Sequence, residues 1–76
     1  MTSDEKLMLE FYRISQGDQT CEIDIRIAAK NIGLKETALK NIVKHLAQAN
    51  FVVKVGETHV LLTKNGCRFV LEELSL

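Results

Sequence analysis

The sequence predicts an α+β fold that is mostly helical, and two observations support this prediction. Apolar residues recur at helical spacing in three segments before residue 50 and in one segment after residue 63. Residues 51–62 are instead rich in β-branched side chains that alternate at a period of two. With 76 residues, of which 46% are hydrophobic and 26% charged, the chain has the balance of one small globular domain. We therefore expect a single domain over 1–76, with a three-helix core, a two-stranded hairpin and a C-terminal helix.

The composition argues against several classes of protein. No apolar run approaches the ~18–20 residues of a membrane span, and the N-terminal residues 1–5 are polar and acidic, unlike a signal peptide. We therefore expect a cytoplasmic protein that does not bind membranes. The two cysteines, Cys21 and Cys67, are too few for a disulfide scaffold and too far apart for a Cys-x-x-Cys site. We expect no metal and no cofactor, and we expect both thiols to be buried.

The first helix is predicted from about Ser3 to Gln16. Thr2 and Glu5 have the spacing of a capping box, and Gly17 is a plausible residue to end the helix. The apolar residues at helical spacing, which should face the core, are Leu7, Met8, Phe11 and Ile14.

The second helix is predicted to follow a short extended piece at residues 21–23. Asp24 is well placed as its N-cap, and Ile32 is its expected last residue. Gly33 should then take the positive φ that a tight turn requires. The apolar side of this helix consists of Ile25, Ala28, Ala29 and Ile32.

The third helix is predicted from Lys35 or Glu36 to Ala49. Its buried stripe should consist of Leu39, Ile42, Val43 and Leu46, with Ala38 and Ala49 at the margins.

The β-rich part of the chain predicts a hairpin. Residues 51–55 and 58–62 should form two strands, and Gly56 with Glu57 suits a two-residue type II′ turn. Thr63 should cap a last helix that runs from Lys64 to about Leu74. The inward-facing residues of that helix should be Phe69, Val70 and Leu74.

The charges cancel overall but are unevenly distributed. Residues 1–25 contain two basic and six acidic side chains, whereas residues 26–54 contain six basic side chains and one acidic side chain. Residues 55–76 contain two basic and three acidic side chains. Because fields in salt are local, the basic middle of the chain matters more for an anionic partner than the net charge of zero.

The chain resembles the winged helix-turn-helix family in the order of these elements and in three stretches of sequence. The most specific stretch is residues 28–46, AAKNIGLKETALKNIVKHL, in which a helix with alanines ends at Gly-Leu and a second helix follows at once. Residues 50–52, Asn-Phe-Val, are similar to the family's entry into the wing, where glycine often stands in place of Asn50. Residues 62–70, LTKNGCRFV, are similar to the Leu-Thr-x-x-Gly-x-x-Phe-Leu entry to the last helix of MarR-like, PadR-like and related archaeal and phage regulators.

The resemblance implies double-stranded DNA as the partner, with the third helix in the major groove. At 100° per residue, the face of that helix opposite the core stripe contains no acidic residue and carries an amide, a hydroxyl and ammonium groups, which are groups that read base edges or bind phosphates. The candidate DNA-binding residues on and beside this face are Thr37, Asn41, Lys44 and Gln48, with Lys40 and His45 flanking. Lys35 at the helix start and Lys54 on the wing should contact the phosphate backbone.

These observations predict a small transcriptional regulator that is not an enzyme, because the sequence offers no nucleophile–base–acid arrangement and no phosphate-binding glycine loop. We expect a homodimer, since one subunit with few phosphate contacts binds weakly. The surplus apolar residues of the first and last helices, which would form the dimer surface, are Leu9, Tyr12, Leu71, Leu74 and Leu76.

Three alternatives stay open at this stage. The domain could be a protein–protein interaction module that does not bind DNA, because fold does not fix function. It could also be a replication or packaging accessory of a mobile element that uses the same DNA face. Cys67 could be a redox sensor if it is exposed at the start of the last helix. No small-molecule ligand is evident.

Overall fold

The computed structural model describes residues 1–74, which form four helices and a three-stranded antiparallel sheet. This arrangement confirms the predicted α+β, mostly helical class. In chain order the elements are α1 (Ser3–Ser15), β1 (Ile23–Asp24), α2 (Ile25–Ile32), α3 (Glu36–Gln48), β2 (Val52–Val55), β3 (His59–Leu62) and α4 (Lys64–Glu73).

Side-chain caps begin three of the four helices, as predicted. At α1 the hydroxyl of Thr2 accepts a hydrogen bond from the Glu5 amide at 3.2 Å, and the Glu5 carboxylate accepts one from the Thr2 amide at 2.8 Å. Asp24 accepts from the Arg26 amide at 2.9 Å, and Thr63 accepts from the Gly66 amide at 3.0 Å. These bonds satisfy backbone donors that a helix start would otherwise leave free.

The end of α1 differs slightly from the prediction. Gln16 already adopts the left-handed conformation, with φ of 55°, and Gly17 follows with φ of 78°. The helix therefore ends at Ser15, one residue before the predicted Gln16.

The sheet contains one more strand than the predicted hairpin. Its order is β1-β3-β2, and β1 pairs with β3 through Ile23↔Val60 and Asp24↔His59. The hairpin turn is also longer than predicted. Because Val55 pairs with His59, residues 56–58 connect the strands, so the two-residue turn was wrong although Gly56 does have a positive φ of 63°.

The core lies between the helices and one face of the sheet. On α3 the predicted stripe is confirmed, since all four of its residues are at most 9% exposed. Ala49, predicted at the margin, is exposed. On α1 the prediction for Ile14 was wrong, because its side chain is 37% exposed and Ser15 is buried in its place. The Ser15 hydroxyl donates a hydrogen bond to the Phe11 carbonyl oxygen at 2.9 Å, so its burial leaves no polar group unsatisfied.

The last helix packs closely on Phe51, the residue before β2. Val70 is fully buried, and the half-buried ring of Phe69 stacks on Phe51 with 4.7 Å between centroids. Leu74 is half-buried against the core, as predicted. Gly66 is also buried, and a Cβ built on it would overlap the carbonyl oxygen of Phe51. Within residues 1–74, no helix has the length and apolar character needed to cross a bilayer.

Candidate nucleic-acid interface

The turn between α2 and α3 fixes where the candidate face begins. Gly33 has a φ of 72°, and the amide of Leu34 donates to the Ala29 carbonyl oxygen at 2.9 Å. These features close the end of α2 in a left-handed turn. Lys35 is the N-cap residue of α3, and its side chain does not cap the helix, because an ammonium group has no acceptor for a backbone N–H.

The burial of one side of α3 leaves its opposite side in solvent. The stripe from Leu39 to Leu46 packs into the core, and every candidate DNA-binding residue is exposed. These exposed residues are Lys35, Thr37, Lys40, Asn41, Lys44, His45, Gln48 and, on β2, Lys54. In the part of the chain that the structure describes, none of these eight side chains forms a hydrogen bond or an ion pair within the protein. Their donors and charges are therefore available to a partner.

A cleft between α3 and the hairpin brings four of the eight residues together. It has a volume of about 280 Å³, and Lys40, Asn41 and Lys44 line it from α3. Lys54 lines the same cleft from β2. Three lysines and an asparagine thus line one concave surface. The other four candidate residues lie on or before α3 outside this cleft.

The structure adds one basic residue that the sequence analysis did not select. Arg26, in the first turn of α2, lines a second cleft of about 160 Å³ that it shares with Lys40. Its Nε lies 3.5 Å from a carboxylate oxygen of Asp24, and its side chain is largely exposed. The sequence could have indicated Arg26, because it lies two residues after the predicted N-cap Asp24 and outside the apolar side of α2.

Two acidic residues also border this surface, although the outer face of α3 itself contains none. Glu36 lines the second cleft from the first turn of α3. Glu57, in the hairpin turn, lines both clefts. The basic surface is therefore interrupted at the tip of the hairpin.

The N-cap of α2 is held in its charged form. The hydrogen bond that the carboxylate of Asp24 accepts from the Arg26 amide lowers the pKa of Asp24 below its usual value, and the charge of Arg26 acts in the same direction. The cap that begins α2 is therefore ionised at neutral pH, beside the basic surface.

The two cysteines lie in different environments. Cys67 is buried as expected, whereas Cys21 is only half-buried, so the expectation for Cys21 was wrong. The thiol of Cys67 donates to the Gly17 carbonyl oxygen at 3.6 Å, and burial raises its pKa. A raised pKa disfavours the reactive thiolate, which argues against redox sensing at Cys67.

The apolar residues assigned to a dimer surface are less exposed than expected. Leu71 is 49% exposed, whereas Leu9, Tyr12 and Leu74 are half-buried against the core of their own chain. Leu76 lies outside the described residues. Of the predicted residues that the structure describes, Leu71 on α4 is therefore the most exposed.

Comparisons of the chain with protein-family models, curated proteins and solved structures found no match. The case for a function therefore comes from the geometry: an exposed α3 face without acidic residues, and a cleft beside it lined by Lys40, Lys44 and Lys54.

Proposed function

We propose that this chain is a winged helix-turn-helix domain that binds double-stranded DNA as a small transcriptional regulator. In this proposal α2 and α3 form the helix-turn-helix, and the β2–β3 hairpin is the wing. The element order and the tight turn at Gly33 support this assignment. The observation that carries it is the outer face of α3, whose polar and basic side chains are all exposed and form no hydrogen bond or ion pair in residues 1–74.

The chemistry of α3 suits the major groove. A helix about 10–12 Å in diameter fits a groove about 12 Å wide. The amide of Asn41 can pair with an adenine edge, and Lys44 can donate to guanine. Thr37 lies in the first turn of α3, the part of a recognition helix that contacts bases. We assign these three residues to contacts with base edges in the major groove.

The cleft between α3 and the hairpin suits the sugar–phosphate strand that borders that groove. Lys40 and Lys54 face it from opposite sides, so a phosphate between them would be contacted by both. Lys35, at the start of α3, would contact phosphates at the other end of the interface. Such contacts set the position of a protein on DNA and make its affinity dependent on salt.

We also propose that the regulator acts as a homodimer. Two copies related by a two-fold axis would read half-sites about 34–36 Å apart. Leu71, exposed on α4, is the apolar side chain assigned to this interface. Sedimentation equilibrium at micromolar concentrations tests the dimer, and a monomer throughout that range would contradict it.

The decisive experiment is a titration of labelled random-sequence duplex DNA with the protein at several salt concentrations. We expect binding that weakens linearly with the logarithm of salt concentration. The double variant Lys40→Glu with Lys44→Glu should lose binding and keep the far-UV circular dichroism of the wild type. A matched control reverses two charges elsewhere, Lys6→Glu with Lys64→Glu, both exposed and outside the clefts. Absence of binding even at low salt would contradict the proposal.

The second candidate function is a protein–protein interaction module. Two large apolar side chains outside the core favour it, Ile27 on α2 at 55% exposure and Val53 on β2 at 51%. Exposed apolar side chains of this kind occur at interaction sites, although single ones are common on any surface. A protein that folds normally and binds no duplex at low salt would support this second function.

A further inference from the structure

The hairpin turn places a carboxylate inside the proposed DNA interface. Glu57 lines both clefts beside α3, so it lies among the basic side chains of three different elements. The charged residues that share a cleft with it are Arg26, Glu36, Lys40, Lys44 and Lys54.

The position of Glu57 is fixed by backbone hydrogen bonds on both sides of the turn. The carbonyl oxygen of Thr58 accepts from the Ile25 amide at 3.0 Å, which ties the turn to the first residue of α2. Val55 and His59 pair across the hairpin, and Asp24 pairs with His59. The turn is therefore anchored to the sheet and to α2, and Glu57 cannot be carried away from the basic surface without breaking strand pairing.

The carboxylate of Glu57 is not neutralised within the chain. Of the ion pairs in residues 1–74, none includes Glu57, and its side chain accepts no hydrogen bond there. It is exposed, so it is accessible to any molecule that enters either cleft.

We infer that Glu57 limits the affinity of this interface for DNA by opposing the phosphate strand that would occupy the cleft between α3 and the hairpin. The inference rests on the proposed DNA binding. Lys40, Lys44 and Lys54 attract any phosphate backbone regardless of sequence, and a fixed negative charge among them reduces that attraction. Binding then depends more on the base contacts assigned to α3.

The test compares charge changes at Glu57 with the same changes at a control position. Glu57→Gln should tighten binding to a random-sequence duplex by about threefold at low salt, the effect of one unit charge about 6 Å away in water. Glu57→Lys should tighten it by about tenfold, because attraction replaces repulsion. Both gains should shrink as salt increases, since the interaction is exposed to screening.

Glu73→Gln and Glu73→Lys are the matched controls. Glu73 is exposed on α4 and lines a cleft that shares no residue with the two basic ones. The control variants make the same change in net charge and should alter the affinity much less than the Glu57 variants. Thermal unfolding of all four variants checks that each is folded at the titration temperature.

Each outcome of the comparison decides the inference. Equal effects at Glu57 and Glu73 would overturn it, because net charge alone would then explain the gain. Weaker binding of Glu57→Gln to some duplex sequences but not others would also overturn it, because Glu57 would then contact a base. If neither the wild type nor any variant binds a duplex at low salt, the proposed function itself fails and the inference falls with it.

Discussion

The side-chain amide of Asn31 donates a 2.8 Å hydrogen bond from Nδ2 to Oε2 of Glu10, a residue 21 positions earlier in the chain. Glu10 is only 7% exposed, and its other carboxylate oxygen lies 3.4 Å from Nε of Arg13. Asn31 lies near the end of α2, two residues before the turn at Gly33. The bond therefore joins α1 to the end of α2, just before the turn that leads into α3. A hydrogen bond outside the candidate DNA face thus helps to hold α2 against α1.

We predict that Asn31→Ala destabilises the protein by about 1–2 kcal/mol, since a largely buried carboxylate then loses a hydrogen-bond donor. Denaturant unfolding followed by circular dichroism measures the change. Asn41→Ala is the matched control, because Asn41 is exposed in a helix and makes no side-chain hydrogen bond in residues 1–74. Equal midpoints for the two variants would show that the Asn31–Glu10 bond contributes nothing.

Gly66→Ala should destabilise the protein by about 2–3 kcal/mol. The added Cβ would overlap the Phe51 carbonyl oxygen, a backbone atom that also accepts a hydrogen bond from the Thr63 amide at 3.1 Å. This cost outweighs the roughly 1 kcal/mol that alanine gains over glycine in a helix. Asn65→Ala, at the exposed neighbouring position, should not lower the melting temperature. A Gly66→Ala protein as stable as the wild type would refute the close packing of α4 on Phe51.

Acid should remove part of the stability that Asp24 provides. Folding lowers the pKa of this carboxyl, so its contribution is complete above its unfolded pKa of about 3.9 and is lost as the pH falls through the folded value. Asp24→Asn keeps a capping side chain that does not titrate. We therefore expect the stability difference between wild type and Asp24→Asn to shrink below about pH 4. Denaturant titrations from pH 7 to pH 3 measure it, and a difference independent of pH would be evidence against the prediction.

Lys54→Gln should weaken binding to all duplex sequences by a similar factor. If Lys54 contacts one phosphate, its loss should reduce the slope of log affinity against log salt by about 0.9. Titration of two unrelated duplexes over a series of salt concentrations provides the measurement.

Asn41→Ala provides the contrast with Lys54→Gln, because Asn41 is uncharged and is assigned to a base rather than to a phosphate. Asn41→Ala should leave the salt slope unchanged and reduce discrimination between the preferred duplex and a random one. Identical behaviour of the two variants would contradict the division of these residues between base and phosphate contacts.

Local chemistry made much of the fold predictable. The caps at Thr2, Asp24 and Thr63 and the turn at Gly33 follow from short-range hydrogen bonding and backbone sterics, which a few neighbouring residues determine. The stripe of α3 was equally clear because four large apolar residues repeat at helical spacing. On α1 the same reasoning failed at Ile14. The hydroxyl of Ser15 donates a hydrogen bond to a backbone carbonyl oxygen of its own helix, so Ser15 can be buried like an apolar residue.

Long-range pairing was not predictable in the same way. The strand β1 contains two residues, too few to show an alternating pattern, and its partner β3 lies more than 30 residues later. The positions of the site residues on α3 followed from helical geometry and were correctly expected to be exposed. The sequence already places Glu57 in the hairpin turn, but its position in both clefts depends on how that turn packs against α2 and α3.

The order of the strands has a consequence for synthesis on the ribosome. The last strand in the sequence, β3, occupies the centre of the sheet. Its pairing with β1 closes the segment of chain that contains α2 and α3. A growing chain therefore cannot complete the sheet until His59–Leu62 has emerged from the ribosome. Contacts between distant parts of a chain form late in folding. The surface of α3 should thus acquire its final shape only after β3 has emerged and paired with β1.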